Sequence, residues 1–560
     1  MAERQETNGL DPITLEVVRH KVEGIANEME DSLLRSSYSP IVKEGLDASA
    51  ALFLPDGTTL AQACAIPIHL GTLVPAVGEI LRAFPVAAMK DGDIYVLNDP
   101  YAGGTHLPDI AVVMPVFHRG HVIALSAAMT HHQDVGGLTP GSVPTNAREI
   151  FQEGIRIPAL KLRDAGVFND TLLRLLQLNV RIPEIFMGDL NAEVAACTVG
   201  ARRLGELAES YGGNRLAAIF ATLIDRSETM TRAALRALPA GTYRHVEHMD
   251  NDGVDLDQRI RIEVAATIAD GTITFDFTGT NRQVRGPLNT VPSGTLAAAF
   301  YAVRAITDPD IPTNGGCFRP VRVVLPEGSI VNPHPPAPVN ARTATIKAIT
   351  STIMGALGQA IPGRAPAGNA GALLVMAFGG RKPGGASYVV GDLVAGGSGA
   401  GPESDGVDVI ETDASNCMNL PAESLEMEAP IRLNRVGLRP DSGGAGSRRG
   451  GLGVVREYEI LAGDVTFSHR GERHFTEAPG VAGGKPGASA VSTIHRADGR
   501  LETVPSKIET ILRKGDRLVV ETAGGGGYGD PRKRDPEAVR RDIASGKVTP
   551  EAARRDYGRG

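Results

Sequence analysis

The chain has 560 residues, of which 42 % are hydrophobic and 22 % charged, with a formal net charge of −8. That balance excludes global disorder and predicts two to four domains. The negative charge and the lack of any basic cluster argue against a nucleic-acid surface, and no apolar run reaches the ~18 residues of a membrane span. The polar N-terminal stretch has no apolar leader segment, so the expectation is a cytoplasmic protein.

The 67 Gly and 37 Pro are dispersed and predict many turns and long shaped loops. Aromatic residues are only 4 % with no Trp, so Ala, Val, Leu and Ile must build the core. Cys64, Cys197, Cys317 and Cys417 form no CxxC pair, which leaves neither a zinc finger nor a redox pair. They read as small buried hydrophobes.

The first element is a helix capped by Asp11 with Pro12 at its start, its apolar stripe running through Ile13, Val17, Val18, Val22, Ile25 and Met29. Short strands follow at 50–54 and 58–61. Residues 95–97, 110–117 and 122–129 are strand-like, with a long loop between the first two. Residues 147–235 are expected to be mostly helical. From about 241 the period changes to two, and Ile260, Ile262, Val264, then Ile273, Phe275, Phe277, flank an Asp270-Gly271 turn to predict a hairpin. Helices are expected at 293–306 and 341–360, and a strand at 387–395. The glycine tracts 443–453 and 524–527 read as tight turns around a β-rich stretch, 454–467. Two short tail helices start at Asp535 and Thr549. The predicted fold is mixed α/β (α+β) and multi-domain. A metal-binding region at 1–240 precedes a central α/β domain at 241–435 and a β-rich C-terminal domain with a helical tail at 436–560.

The chemistry concentrates in NDPYAGGTHLPD (98–109) and MTHHQDVGG (129–137). Histidine plus carboxylate is the usual donor set for Zn, Mn or Fe. His106 and Asp109 share a Gly- and Pro-rich loop, and His131 and His132 end a strand. If that strand pairs with the one beginning at Ile110, these groups meet at one rim. Asp47 offers a second carboxylate upstream. The plain alternative is that these side chains cap loops and close Asx-turns. Weaker candidates are a second metal site at His245, His248, Asp250 and Asp252, and an anion site at His469, Arg470, Arg473 and His474. Residues 480–485 (GVAGGK) lack the spacing of a Walker A loop, and no GxSxG elbow is present.

Nearly end to end, the sequence resembles the hydantoinase B/oxoprolinase family. The resemblance is carried by residues 11–49, NDPYAGGTHLPDIAVVMPVF, THHQDVGG, QVRGPLNTVPSG, PAESLEME, DSGGAGSRRGGLG and ETAGGGGYGDP. It implies one divalent metal (Zn, Mn or Fe) held by Asp47, His106, Asp109 and His131, with His132 and Asp134 orienting those ligands. It also implies a hydantoinase A-type partner that binds ATP and Mg, in keeping with the missing phosphate loop here. The implied function is the metal-containing subunit of an ATP-dependent cyclic-amide hydrolase acting on hydantoin, 5-oxoproline or a lactam. A subunit of a ketone carboxylase, for acetone or acetophenone, is the alternative, and a non-catalytic scaffold with a structural metal is the third reading.

Overall fold

The computed structural model describes residues 10–558; the first nine residues, on which most of the leader expectation rests, lie outside that range. The helix Pro12–Ser36 begins as expected, with the Asp11 carboxylate accepting the N–H groups of Ile13 and Thr14. Its buried face, however, runs through Leu15, Val18, Val22, Ile25, Met29 and Leu33. Ile13 and Val17 lie off that face and are 73 % and 40 % exposed.

A seven-stranded antiparallel sheet holds the N-terminal region together. Its spatial order is Thr59–Gln62, Ala48–Phe53, His121–His131, Asp109–His118, Ile94–Leu97, Leu160–Asp164, Val167–Phe168. Both faces are covered, which is why 110–117 reads as an unbroken apolar run. Ile110, Val112 and Met114 belong to the large core shared with the helices Pro12–Ser36 and Pro183–Tyr211. Ala111 and Val113 pack instead with the helix Pro67–Ala83. That helix crosses Pro292–Ile306 closely enough that a Cβ on Gly71 would stand 2.6 Å from the Ala297 backbone. Most of the expected helical stretch 147–235 is helical, but before Asp170 it holds only the 3-10 turn Ile150–Gln152. A turn with positive φ at Ala165 and Gly166 folds Leu160–Asp164 and Val167–Phe168 into a hairpin on the sheet edge, where pairing with Ile94–Val96 decides its form.

The predicted hairpin forms between Ile260–Ala269 and Thr272–Asp276, and Gly241–Met249 and Val321–Val324 complete a four-stranded sheet. The helix Arg342–Ala360 packs on it. A third sheet has the order Ser387–Val394, Leu374–Arg381, Asp464–Arg470, Lys507–Arg513. It takes two strands from each side of the expected border at 435/436, because Leu374–Arg381 pairs antiparallel with Asp464–Arg470. A fourth sheet of five strands shares its core, with Phe378, Phe467 and Tyr458 in contact. The tail helices start at Asp535 and Thr549, both of which cap.

The glycine tracts are not turns. None of Gly443, Gly444, Gly450, Gly451 or Gly524 to Gly527 has a positive φ. They are stacked backbones: Gly451 N–H donates to Ser398 O, Gly525 N–H to Gly451 O and Gly444 N–H to Gly525 O. A Cβ on Gly525 would stand 1.9 Å from Ser398 O, and one on Gly450 1.9 Å from Gly525 O. Glycine is required there for closeness rather than for conformational freedom.

Candidate metal centre

Strand register builds the site. Asp109 opens one strand and His131 closes its neighbour, and the antiparallel ladder sets them directly opposite each other. On the other side of His121–His131, Ala48 pairs with Thr130, and His131 N–H donates to Asp47 O at 3.1 Å. Asp47 therefore sits beside His131. The loop before Asp109 is pinned by Asn98, whose side chain donates to Leu107 O and Ile155 O and accepts from Ile157 N–H. Gly103 (φ +91°) lies so near the helix Pro67–Ala83 that a Cβ would meet Pro75 O at 2.5 Å. The result brings His106 Nε2 to 2.9 Å from Asp109 Oδ1. One donor atom each from His106, Asp109 and His131 lie within 4.8 Å of one another, the one such group among the described residues.

Two further residues enter that sequence reasoning did not find. His69, near the start of Pro67–Ala83, places Nε2 3.8 Å from Asp109 Oδ2 and 3.9 Å from Asp47 Oδ1. Arg342 pairs with Asp109 Oδ2 and donates to Thr105 Oγ1 at 2.6 Å. Only a helix start after Pro67 hinted at the first, and no local signal marks the second.

The electrostatics suit lone-pair donation. Burial holds the His106 and His131 imidazoles below their usual range and takes His69 down to about 4, so all three are neutral near pH 7. Burial opposes ionisation of Asp109, but the Arg342 guanidinium paired with it holds that carboxyl well down. Burial, helped by the Asp109 charge, pushes Asp47 up. His106 Nδ1 donates to Asn340 O at 2.9 Å, and a carbonyl can only accept. The Nε2 lone pair therefore faces the Asp109 carboxylate, a pairing of two acceptors that a cation between them would resolve. His131 Nδ1 and His69 Nε2 are buried with no hydrogen-bond partner among the described residues. This donor set fits one divalent ion of the Zn, Mn or Fe kind.

His106 and His131 of the cluster, with Asp47 and Arg342, line a cavity of about 60 Å³. Much of the remaining lining is apolar, with Leu373, Val375, Met376 and Leu393 from or next to the third sheet, and Arg470 joins them.

The family model for Hydantoinase B/oxoprolinase matches residues 11–531. The chain belongs to this family. It is 34 % identical over 566 residues to the B-type component of a putative D-/L-hydantoinase of Pseudomonas sp. (strain NS671), covering 98 % of this chain and 95 % of that one. The structure of the ATP-dependent caprolactamase from Pseudomonas jessenii is similar with a TM-score of 0.90 and 30 % identity, over 98 % of this chain and 96 % of that chain. Nucleotide-free acetone carboxylase shares the fold, with a TM-score of 0.92 at 23 % identity over 99 % of this chain and 80 % of that one.

In this hydantoinase B-type chain, the paired histidines diverge. Strand alternation turns His132 to the face opposite His131. His132 Nε2 lies 3.3 Å from Glu193 Oε2 and its ring packs on Phe186. Asp134 accepts the N–H groups of Gly136, Gly141 and Arg181 and pairs with the Arg181 guanidinium at 3.0 Å. Neither side chain hydrogen-bonds to a member of the cluster; they brace the chain that follows His131. The weaker candidates disperse. Asp252 is spent on the N–H groups of Val254, Asp255 and Gly286, Asp250 on those of His474 and Phe475, and His248 is exposed. Arg473 pairs with Glu247, and His469 lies between Ser492 Oγ and Ser506 O, so these side chains do not converge with Arg470, which turns to Asn340. Cys64 is exposed, against expectation, while the other three cysteines are buried. Among the described residues no helix is long and apolar enough to cross a membrane.

Proposed function

We propose that this chain is the metal-bearing subunit of an ATP-dependent cyclic-amide hydrolase that opens hydantoin, 5-oxoproline or a related lactam. Its partner would be a hydantoinase A-type subunit that binds ATP and Mg. The observation that carries the reading is the meeting of His106, Asp109 and His131 beside a cavity that His106, His131 and Asp47 line. These three residues, with Asp47, would hold one divalent ion, and His69 extends the donor set. Such an ion supplies Lewis acidity toward a carbonyl oxygen or a water.

The chain's own groups prepare that chemistry. Asn340 O holds the proton on His106 Nδ1 and so aims the Nε2 lone pair inward. Arg342 orients Asp109. The apolar wall of Leu373, Val375 and Leu393 limits water in the cavity and strengthens every charge interaction inside it. His132 and Asp134 act as positioning residues, through Glu193 and Arg181, on the segment that carries His131.

Metal analysis tests the site: the wild type should carry one equivalent, and Asp109→Ala and His131→Ala should carry essentially none. Unchanged metal content in both variants would remove the assignment. Co-expression with an A-type subunit, followed by ATP turnover with hydantoin, 5-oxoproline and caprolactam, tests the reaction. Turnover only with acetone or acetophenone and bicarbonate would replace hydrolysis by ketone carboxylation. Lactam turnover that survives metal loss would leave this chain a scaffold subunit.

A further inference from the structure

Arg470 is the one cationic side chain of the cavity that no carboxylate answers. It ends the strand Asp464–Arg470 of the third sheet and lines the same cavity as His106 and His131. Its guanidinium bonds to a neutral amide, with Nη1 donating to Asn340 Oδ1 at 2.6 Å. Among the described residues no carboxylate lies within 4.0 Å of its guanidinium, whereas Arg342, on the same cavity, is paired with Asp109. Glu153 is the acidic group that its charge feels most, but that carboxylate accepts the N–H groups of Val339 and Asn340 and does not line the cavity. Burial moreover pushes Glu153 up to about 8, so it is largely protonated at neutral pH.

A guanidinium beside Leu373, Val375 and Leu393 loses hydration that a neutral amide repays only in part. Asn340 also fixes the distance relation that matters. Its backbone oxygen holds His106 and its side chain holds Arg470, so the cationic group and the metal donors are mounted on one residue. A ligand with an anionic group at one end and a reactive carbonyl at the other would satisfy both.

We propose that Arg470 is the anion-recognition residue of this cavity, pairing with a carboxylate or phosphoryl group on the molecule whose ring is opened. The site then favours an anionic cyclic amide, or an O-phosphorylated one, over the neutral ring. The inference rests on the cyclic-amide reading for the kind of molecule bound, and on Arg470 alone for its charge.

The test is calorimetric titration of the full-length chain, loaded with one equivalent of Mn²⁺, with 5-oxoproline, with 2-pyrrolidone (the same ring without the carboxylate) and with inorganic phosphate. At least one anion should bind at least about tenfold tighter than 2-pyrrolidone. Tight 5-oxoproline identifies a substrate carboxylate, and tight phosphate alone a phosphoryl group. Arg470→Gln should abolish the preference and Arg470→Lys keep part of it. A wild type that binds 2-pyrrolidone as tightly as both anions overturns the proposal, as does an unchanged preference in Arg470→Gln. If Arg470→Gln does not fold, the wild-type ratio and Arg470→Lys decide. Metal content and ATP-driven ring opening on the same preparations separate the two readings. Arg470-dependent anion binding in a chain that takes up no metal would sink the proposed function and spare this inference. An active, metal-loaded complex indifferent to charge would do the reverse.

Discussion

The N-terminal rim and the C-terminal closure build one cavity by opposite means. The rim is local: Asp47, His106, Asp109 and His131 come from three stretches within 85 residues, and adjacent strands set their spacing. The closure is remote, with strands paired across a long stretch of chain and glycine backbones stacked where no side chain fits. The first puts chemistry in side chains and tolerates change elsewhere. The second puts geometry in the backbone and tolerates almost none.

The sharpest way to break that comparison is Gly525→Ala. A methyl 1.9 Å from Ser398 O must move backbone, so the variant should lose more than about 3 kcal/mol and fold in poor yield. A thermal midpoint within a few degrees of wild type would refute close packing as the reason for that tract. Next comes Asp134→Ala, which strands the N–H groups of Gly136, Gly141 and Arg181. Denaturant unfolding should show a loss of about 2–4 kcal/mol while metal content stays at one equivalent. Metal loss with unchanged stability would make Asp134 part of the donor set rather than a brace.

Two predictions concern protons. Burial pushes Glu30 up to about 8, whereas an unburied glutamate titrates at 4.5, so the native chain holds an extra proton between those limits. Stability therefore falls as pH rises through that window, by up to about 3 kcal/mol at pH 7. Glu30→Gln should gain thermal stability over wild type at pH 8 and lose that advantage by pH 5. At the rim, Asp47 must give up its proton to join a metal, and its carboxyl is pushed up by burial and by Asp109. Metal affinity should weaken as pH drops through the acid range, with metal uptake releasing a proton, and Asp47→Asn should flatten that dependence. The smallest effect is expected from Gly205→Ala, where a helical Cβ meets nothing within 4 Å. It should stabilise by about 0.5–1 kcal/mol and serves as the control for Gly525→Ala.

Much of the rim is legible in the sequence because its signals are short-range. The Asp11 cap, the strand runs around 110–129 and the hairpin at Asp270-Gly271 all act within a few residues. The family resemblance singles out His131 over His132, and strand alternation places His131 with His106 and Asp109. Most of 147–235 is helical as it reads, but 160–168 is not, because an edge pairing with Ile94–Val96, rather than local propensity, decides its conformation. The glycine tracts read as turns because closeness and positive φ call for the same residue, and only the neighbouring backbone tells them apart.

By itself the sequence determined the family, the His and Asp residues that cluster and the strand ends that carry two of them, since these depend on residue identity and nearest-neighbour geometry. Only the tertiary structure decided that His69 and Arg342 join Asp109, that Leu374–Arg381 pairs across the expected domain border, and that Arg470 lines the same cavity as His106 and His131. Those contacts link residues from 40 to several hundred positions apart. Their energy comes from burial and pairing that exist once the chain has closed, and no local pattern encodes them.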